Sequence, residues 1–251
     1  MPFLPEDVTA SAYMLALLGA LCLGFSKAGF PGLAIVNVVI IAEVFGAKDS
    51  VGIVLPLLIC CDLIVYPLFR RFASWRAILP LLPPALIGIL VGWRLLGAID
   101  NETARRVIGW IILAMVALQV VRAYFQNFLR SLPDSLGFLW GSGLAIGVST
   151  TLANAAGPVY SVYALVRRLK KEDFLGIGAR FFLLVNLIKV PFLGELDIIN
   201  PRSLHLDACL LPGIVLGIWL GKRTIARVPQ HVFEWLLYGF TVAAGVRMVA
   251  F

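Results

Sequence analysis

Four ionisable residues stand inside stretches otherwise built of leucine, isoleucine, valine and phenylalanine: Lys27, Asp62, Arg180 and Lys189. Charges in such surroundings are costly, and those that persist mark ion pathways, proton relays or anion sites. Near them in sequence lie hydroxyls and carboxamides at Ser26, Thr150, Thr151, Asn154 and Asn186, and glycines at Gly29, Gly32 and Gly157. This inventory suits binding an anion and moving a proton, with no bond made or broken. The signatures of an intramembrane enzyme are missing: there is no H-E-x-x-H, no G-x-S-x-G and no second intramembrane carboxylate to pair with Asp62. His205 and His231 have no partner spacing, and Cys22, Cys60, Cys61 and Cys209 form no C-x-x-C pair or disulfide framework, so neither a metal nor another cofactor is expected.

The composition says what solvent these groups meet. Of 251 residues, 61% are hydrophobic and 14% charged, too few charges to cover a soluble domain of this size. Apolar segments fall at 8–25, 32–45, 51–68, 77–97, 107–124, 137–149, 158–166, 174–193, 204–221 and 232–250. The chain therefore reads as an all-α polytopic membrane protein, with the lipid bilayer as its main partner. The opening "MPFLPEDVTASAYM" is acidic and lacks the positive flank of a cleavable signal peptide, so the first span is expected to stay. The net charge of +7 is no mark of nucleic-acid binding, because the basic residues sit in short loops between spans.

Segments 32–45, 137–149 and 158–166 fall short of the roughly 20 residues a crossing needs. Either each pairs with its neighbour as a hairpin, or a pair forms one broken crossing. With hairpins, one side receives Lys27, Arg70, Arg71, Arg76, Arg122, Arg130, Arg167, Arg168, Lys170, Lys171, Lys222, Arg223 and Arg227. The other receives only Lys48, Arg105, Arg106 and Arg202. Single broken crossings weaken that asymmetry and leave Lys27 at mid-depth, so the positive-inside rule favours hairpins, with both termini outside the cytoplasm.

The two halves echo one another. Gly52, Asp62 and Pro67 recur as Gly176, Asn186 and Pro191, each 124 residues further on, and Gly88 and Gly92 recur 125 residues on as Gly213 and Gly217. Five segments per half is an odd number, so the second half should enter the membrane upside down. The expectation is two inverted five-segment repeats with broken or re-entrant helices, residues 1–125 and 137–251, joined by a linker at 126–136. Secondary transporters are commonly built this way, with substrate held at the repeat interface near the midplane.

The interruptions "GFSKAGFPGLAIV" (24–36) and "GVSTTLANAAGPVYSVYAL" (147–165) occupy corresponding places. Each sets glycine beside proline just before an apolar helical run, and proline suits the first turn of a helix. A helix start presents unpaired N–H groups and about half a positive charge, which favours an anion. Glycines there let a ligand approach the backbone, and Lys27 adds a full charge. Gly88, Gly92, Gly213 and Gly217 read instead as close helix packing. Asp62 takes up a proton, pairs with Lys27, or forms a structural bridge to a loop arginine such as Arg71. Asn186 and Lys189 share a helical face; Lys189 faces the site or snorkels outward, and Arg180 contacts substrate or reaches towards the 167–171 loop. Arg94 and Arg247 read as interfacial.

"GFSKAGFPGL" followed by "PLLICCDLIVYPLFRRFASWR", and "STTLANAAGPV" followed by "FFLLVNLIKVPF", resemble the two repeats of the sulfite exporter TauE/SafE family. The resemblance runs from about residue 10 to 250 and implies a bacterial inner-membrane carrier of small sulfur-containing anions such as sulfite, sulfoacetate or thiosulfate. Export of an anion is the expected direction; a proton-coupled importer of a carboxylate or sulfur anion and a non-transporting membrane subunit are the alternatives. A homo-oligomer is left open.

Overall fold

The computed structural model describes residues 8–27, 33–72, 74–224 and 230–250. Among them the chain is helix and short connection, with no strand. The first half contributes α1 (Ala10–Lys27), α2 (Leu33–Phe45), α3 (Ala47–Phe69), α4 (Trp75–Ile78), α5 (Leu82–Ala98) and α6 (Asn101–Tyr124). A short α7 (Gln126–Ser131) follows, then α8 (Leu136–Ala153), α9 (Gly157–Val166), α10 (Lys171–Glu195), α11 (Pro201–Thr224) and α12 (Gln230–Ala250). Among the described residues, six helices are long and apolar enough to cross a membrane: α1, α3, α6, α8, α10 and α11. The expectation that 137–149 is too short for a crossing is corrected: α8 runs 18 residues, from Leu136 to Ala153, because the helix continues through the polar Thr150 and Thr151 to Leu152 and Ala153.

Local chemistry sets the ends. The Asp100 carboxylate accepts the Thr103 amide at 3.0 Å and starts α6; Ser135 does the same for α8 through Phe138 at 3.2 Å. Hydrogen bonds from Thr103 hold the Asp100 carboxyl below the usual carboxylate range. Gly46, at φ 95°, turns the chain from α2 into α3 in a conformation that a side chain resists.

The helices pair reciprocally: α1 packs along α11 and α5 along α8, while α3 meets α10 and α6 meets α12. This is the pairing that an internal two-fold gives. Glycines permit the closest approaches. A methyl group at Gly24 or Gly217 would drive into the facing helix of the α1–α11 pair, and one at Gly88 or Gly147 into that of α5–α8. Large apolar side chains remain exposed along the outside, among them Leu86, Leu90 and Leu95 of α5 and Val215, Leu216 and Trp219 of α11. Such a belt calls for lipid rather than water. α3 and α10 pack against each other, and each carries buried polar groups past its midpoint.

Candidate functional site

The break after α8 is fully visible. α8 ends in Asn154, a residue in the left-handed conformation at φ 50°, and α9 begins three residues later at Gly157 with Pro158 in its first turn. The amides of Asn154 and Ala155 return to the Thr150 and Ser149 carbonyls, closing the helix as a Schellman-type cap. Asparagine tolerates that backbone better than other non-glycine residues do. Its side chain is occupied: Nδ2 donates to the Val51 carbonyl of α3 at 2.9 Å.

Lys189 of α10 locks the same cap. Its ammonium, 0% exposed, donates to the Thr150 carbonyl at 2.7 Å, the Thr150 hydroxyl at 3.2 Å and Asn154 Oδ1 at 2.7 Å. All three N–H bonds find acceptors, and the charge sits at the negative end of the α8 dipole. Lys189 therefore neither snorkels outward nor offers a free donor. It fastens the break.

The first interruption is organised around a carboxylate. Lys27, in the last turn of α1, donates to Asp62 Oδ1 of α3 at 2.5 Å; the lysine side chain is 21% exposed and the aspartate 2%. Asp62 Oδ2 accepts Asn186 Nδ2 of α10 at 2.9 Å. Asp62 and Asn186, the corresponding residues of the two halves, thus touch each other where α3 meets α10. Lys189 follows Asn186 by three residues on α10, about one turn from this contact. Lys27 also lies 6.0 Å from the Phe182 ring, in an aromatic cluster with Tyr160, Phe174 and Phe181. Of the three roles open to Asp62, pairing with Lys27 is the one present; Arg71 instead lies over Phe72.

The remaining residues divide. Gly29 and Gly32 lie outside the described residues. A Cβ added at Gly157 meets no atom of the described residues within 4 Å. The Ser26 hydroxyl donates to the Leu23 carbonyl at 2.7 Å and that of Thr151 to the Gly147 carbonyl at 2.8 Å, so both are turned back on their own helices. Thr151 also faces Gly92 of α5, away from the lysines. Arg180 belongs to neither cluster. It donates to the Tyr66 hydroxyl at 2.9 Å and the Arg70 carbonyl at 3.3 Å, and lies over Trp75, which places it beside the end of α3.

Asn37 and Asp207 are among the buried polar residues that escaped the sequence reading. Asn37 of α2 is 0% exposed, and neither end of its carboxamide finds a partner among the described residues. Its signal was available as the lone polar residue within "LAIVNVVIIA". Asp207 of α11 is 4% exposed with both carboxyl oxygens unpartnered among the described residues, which corrects the view that Asp62 has no second intramembrane carboxylate. Drawing the segment from 204 had put Asp207 at its edge; α11 starts at Pro201 and buries it.

A helical bundle with a lipid-facing belt, two helix interruptions and a charged centre between its halves is the build of a multi-pass membrane carrier. Residues 15–248 match the family described as sulfite exporter TauE/SafE. The chain belongs to that family and is a membrane transporter, not an enzyme. It is also similar to the probable inner membrane transporter protein TsaS of Comamonas testosteroni, 28% identical over 182 residues that cover 71% of this chain and 73% of that protein. No solved structure matches it.

Proposed function

We propose that the chain is a secondary exporter of a small anion, a sulfur oxyanion or organosulfonate, across a bacterial inner membrane. The observation that carries the reading is the Lys27–Asp62 pair, held against Asn186 about one turn of α10 from Lys189. Two ammonium groups and one carboxylate leave one positive charge uncompensated at the centre, and an anion supplies the balance. The anion takes the place of Asp62 on Lys27, while Lys189 and Asn154 keep the second interruption in shape. Membership of the sulfite exporter family and the name of the Comamonas relative support a sulfur anion and an inner-membrane setting. An inside-negative potential favours exit of an anion by about 2.3 kcal/mol per charge per 100 mV, so downhill export needs no coupling ion.

In this reading the two halves are inverted repeats, both termini lie outside the cytoplasm, and the loops at 70–76, 167–171 and 222–227 lie inside it. A second reading, proton-coupled import, draws on the same pair: once the anion has taken Lys27, Asp62 is left beside it and a proton relieves the repulsion.

Liposomes containing only this protein test the proposal. Loaded with labelled sulfite, thiosulfate or methanesulfonate, they should release at least one of these in a saturable way that Lys27→Met abolishes. Release indistinguishable from protein-free liposomes would leave the chain as a membrane subunit acting with other proteins. Labelling of a cysteine placed at position 168 from outside the cell would overturn the sidedness.

A further inference from the structure

Arg122, in the last turn of α6, lines a cavity of about 320 Å³ together with Gln126, Ser161 of α9 and Phe174 of α10. Among the described residues the lining holds no carboxylate. Neighbouring cations are committed elsewhere: Arg167 pairs with Asp134 at 3.1 Å and lies over the Tyr163 ring, and Arg168 donates to the Arg130 carbonyl at 3.2 Å. Arg122 is half-buried and makes no hydrogen bond or ion pair among the described residues.

The opposite end of α6, about 26 Å away at 1.5 Å per residue, is arranged differently. There Glu43 answers both Arg105, at 3.2 Å, and Arg247, at 3.7 Å. One end of the bundle thus neutralises its arginines and the other leaves a guanidinium open in a pocket. The floor of that pocket reaches the second interruption, since the Ser161 hydroxyl donates to the Gly157 carbonyl at 2.9 Å. The volume corresponds to about ten water molecules, room for a small oxyanion that keeps part of its hydration shell.

We infer that this cavity is the cytoplasmic capture site for the transported oxyanion, with the Arg122 guanidinium as its fork and the Gln126 carboxamide as second donor. A planar guanidinium suits an oxyanion because two parallel N–H bonds meet two oxygens. The inference rests on the export reading, which puts the end of α6 in the cytoplasm. It adds a direction to it: the anion is gathered at the end where arginine is free and leaves at the end where Glu43 occupies the arginines.

The test is transport of labelled sulfite by oriented proteoliposomes, with sulfite supplied at one face at a time. Arg122→Gln should raise the half-saturation concentration about tenfold from the cytoplasmic face, the weight of one charge-assisted contact, and leave the maximal rate unchanged. From the other face it should move less than about twofold. Arg122→Lys, keeping charge without the fork, should fall between. Gln126→Glu, a change at an exposed position that cannot unfold the helix, should act in the same direction by placing a carboxylate beside Arg122. An unchanged half-saturation from the cytoplasmic face, or an equal rise from both faces, overturns the capture site while transport itself stands. Absence of sulfite, thiosulfate and sulfonate transport by the unmodified protein would overturn the export reading, and this inference with it.

Discussion

The two interruptions use the same parts in opposite places. In the first, the lysine stands on the helix that ends, Lys27 of α1, and its partner Asp62 stands on the central helix α3. In the second, the lysine stands on the central helix, Lys189 of α10, and its partner Asn154 caps the helix that ends. The first pairing is ionic and partly accessible. The second is neutral on one side, fully buried and saturated with acceptors. The two halves thus set their lysines on opposite partners, and in the proposed mechanism the first interruption exchanges a ligand while the second stays still.

Lys27→Met should show the largest effect. Anion flux should fall about a hundredfold or more, because an anion would lose its one accessible full charge. Asp62 would be left buried without its cation, which costs about 3 kcal/mol of stability; part of this is returned by the solvent that already reaches Lys27. The double variant Lys27→Met/Asp62→Asn should recover the melting temperature and stay inactive. If it regains transport, the exchangeable site lies elsewhere and the contrast between the two interruptions fails.

Asp62→Asn comes next, since it makes the first interruption resemble the second. The pair becomes lysine to carboxamide, and the new carboxamide faces Asn186 as amide to amide. Downhill exchange should survive, while the pH dependence of flux flattens and any accumulation driven by a proton gradient disappears. Retention of full pH-dependent accumulation would show that Asp62 carries no proton.

Much of this was legible from residue order alone. Most of the helices follow from the apolar segments, and charge in apolar surroundings together with a 124-residue echo singles out Lys27, Asp62, Asn186 and Lys189, which the fold joins as Lys27–Asp62–Asn186 and Lys189–Asn154. What sequence could not convey is which donors are already spent. Ser26 and Thr151 look like free hydroxyls, yet in a helix such groups reach the carbonyl three or four residues back, and both do. Arg180 reads as a site residue because it is six positions into its segment, but aromatic faces at Tyr66 and Trp75, more than 100 residues away in sequence, hold it at the end of the bundle. Asp207 was concealed by a boundary: polar residues at 202, 203 and 205 shortened the apparent segment, while the helix itself begins at Pro201.

Lys189→Met should cost stability more than transport. It strips the α8 terminus of three donated hydrogen bonds, leaving the Thr150 carbonyl and Asn154 Oδ1 buried with fewer partners. About 2–3 kcal/mol is expected, read as a lower melting temperature in detergent. Half-saturation for the anion should shift only a few-fold in the protein that remains folded. Lost transport at an unchanged melting temperature would make Lys189 a ligand to substrate and the two interruptions functionally alike.

The smallest changes are at Asn154, where two substitutions separate geometry from charge. Glycine is at ease in the left-handed region, so Asn154→Gly keeps the turn and relieves backbone strain. It loses the bond to the Val51 carbonyl and the acceptor for Lys189, and the balance is a loss of about 1 kcal/mol with little change in flux. Asn154→Asp keeps the acceptor, and aspartate also tolerates the conformation. It converts the second interruption into a lysine–carboxylate pair like the first and cancels the uncompensated positive charge at the centre. Half-saturation for the anion should therefore rise about tenfold, while the melting temperature falls no further than in the glycine variant. If Asn154→Asp transports as well as the unmodified protein, the net charge of the centre does not govern anion binding, and the Lys27–Asp62 pair must act by contact alone.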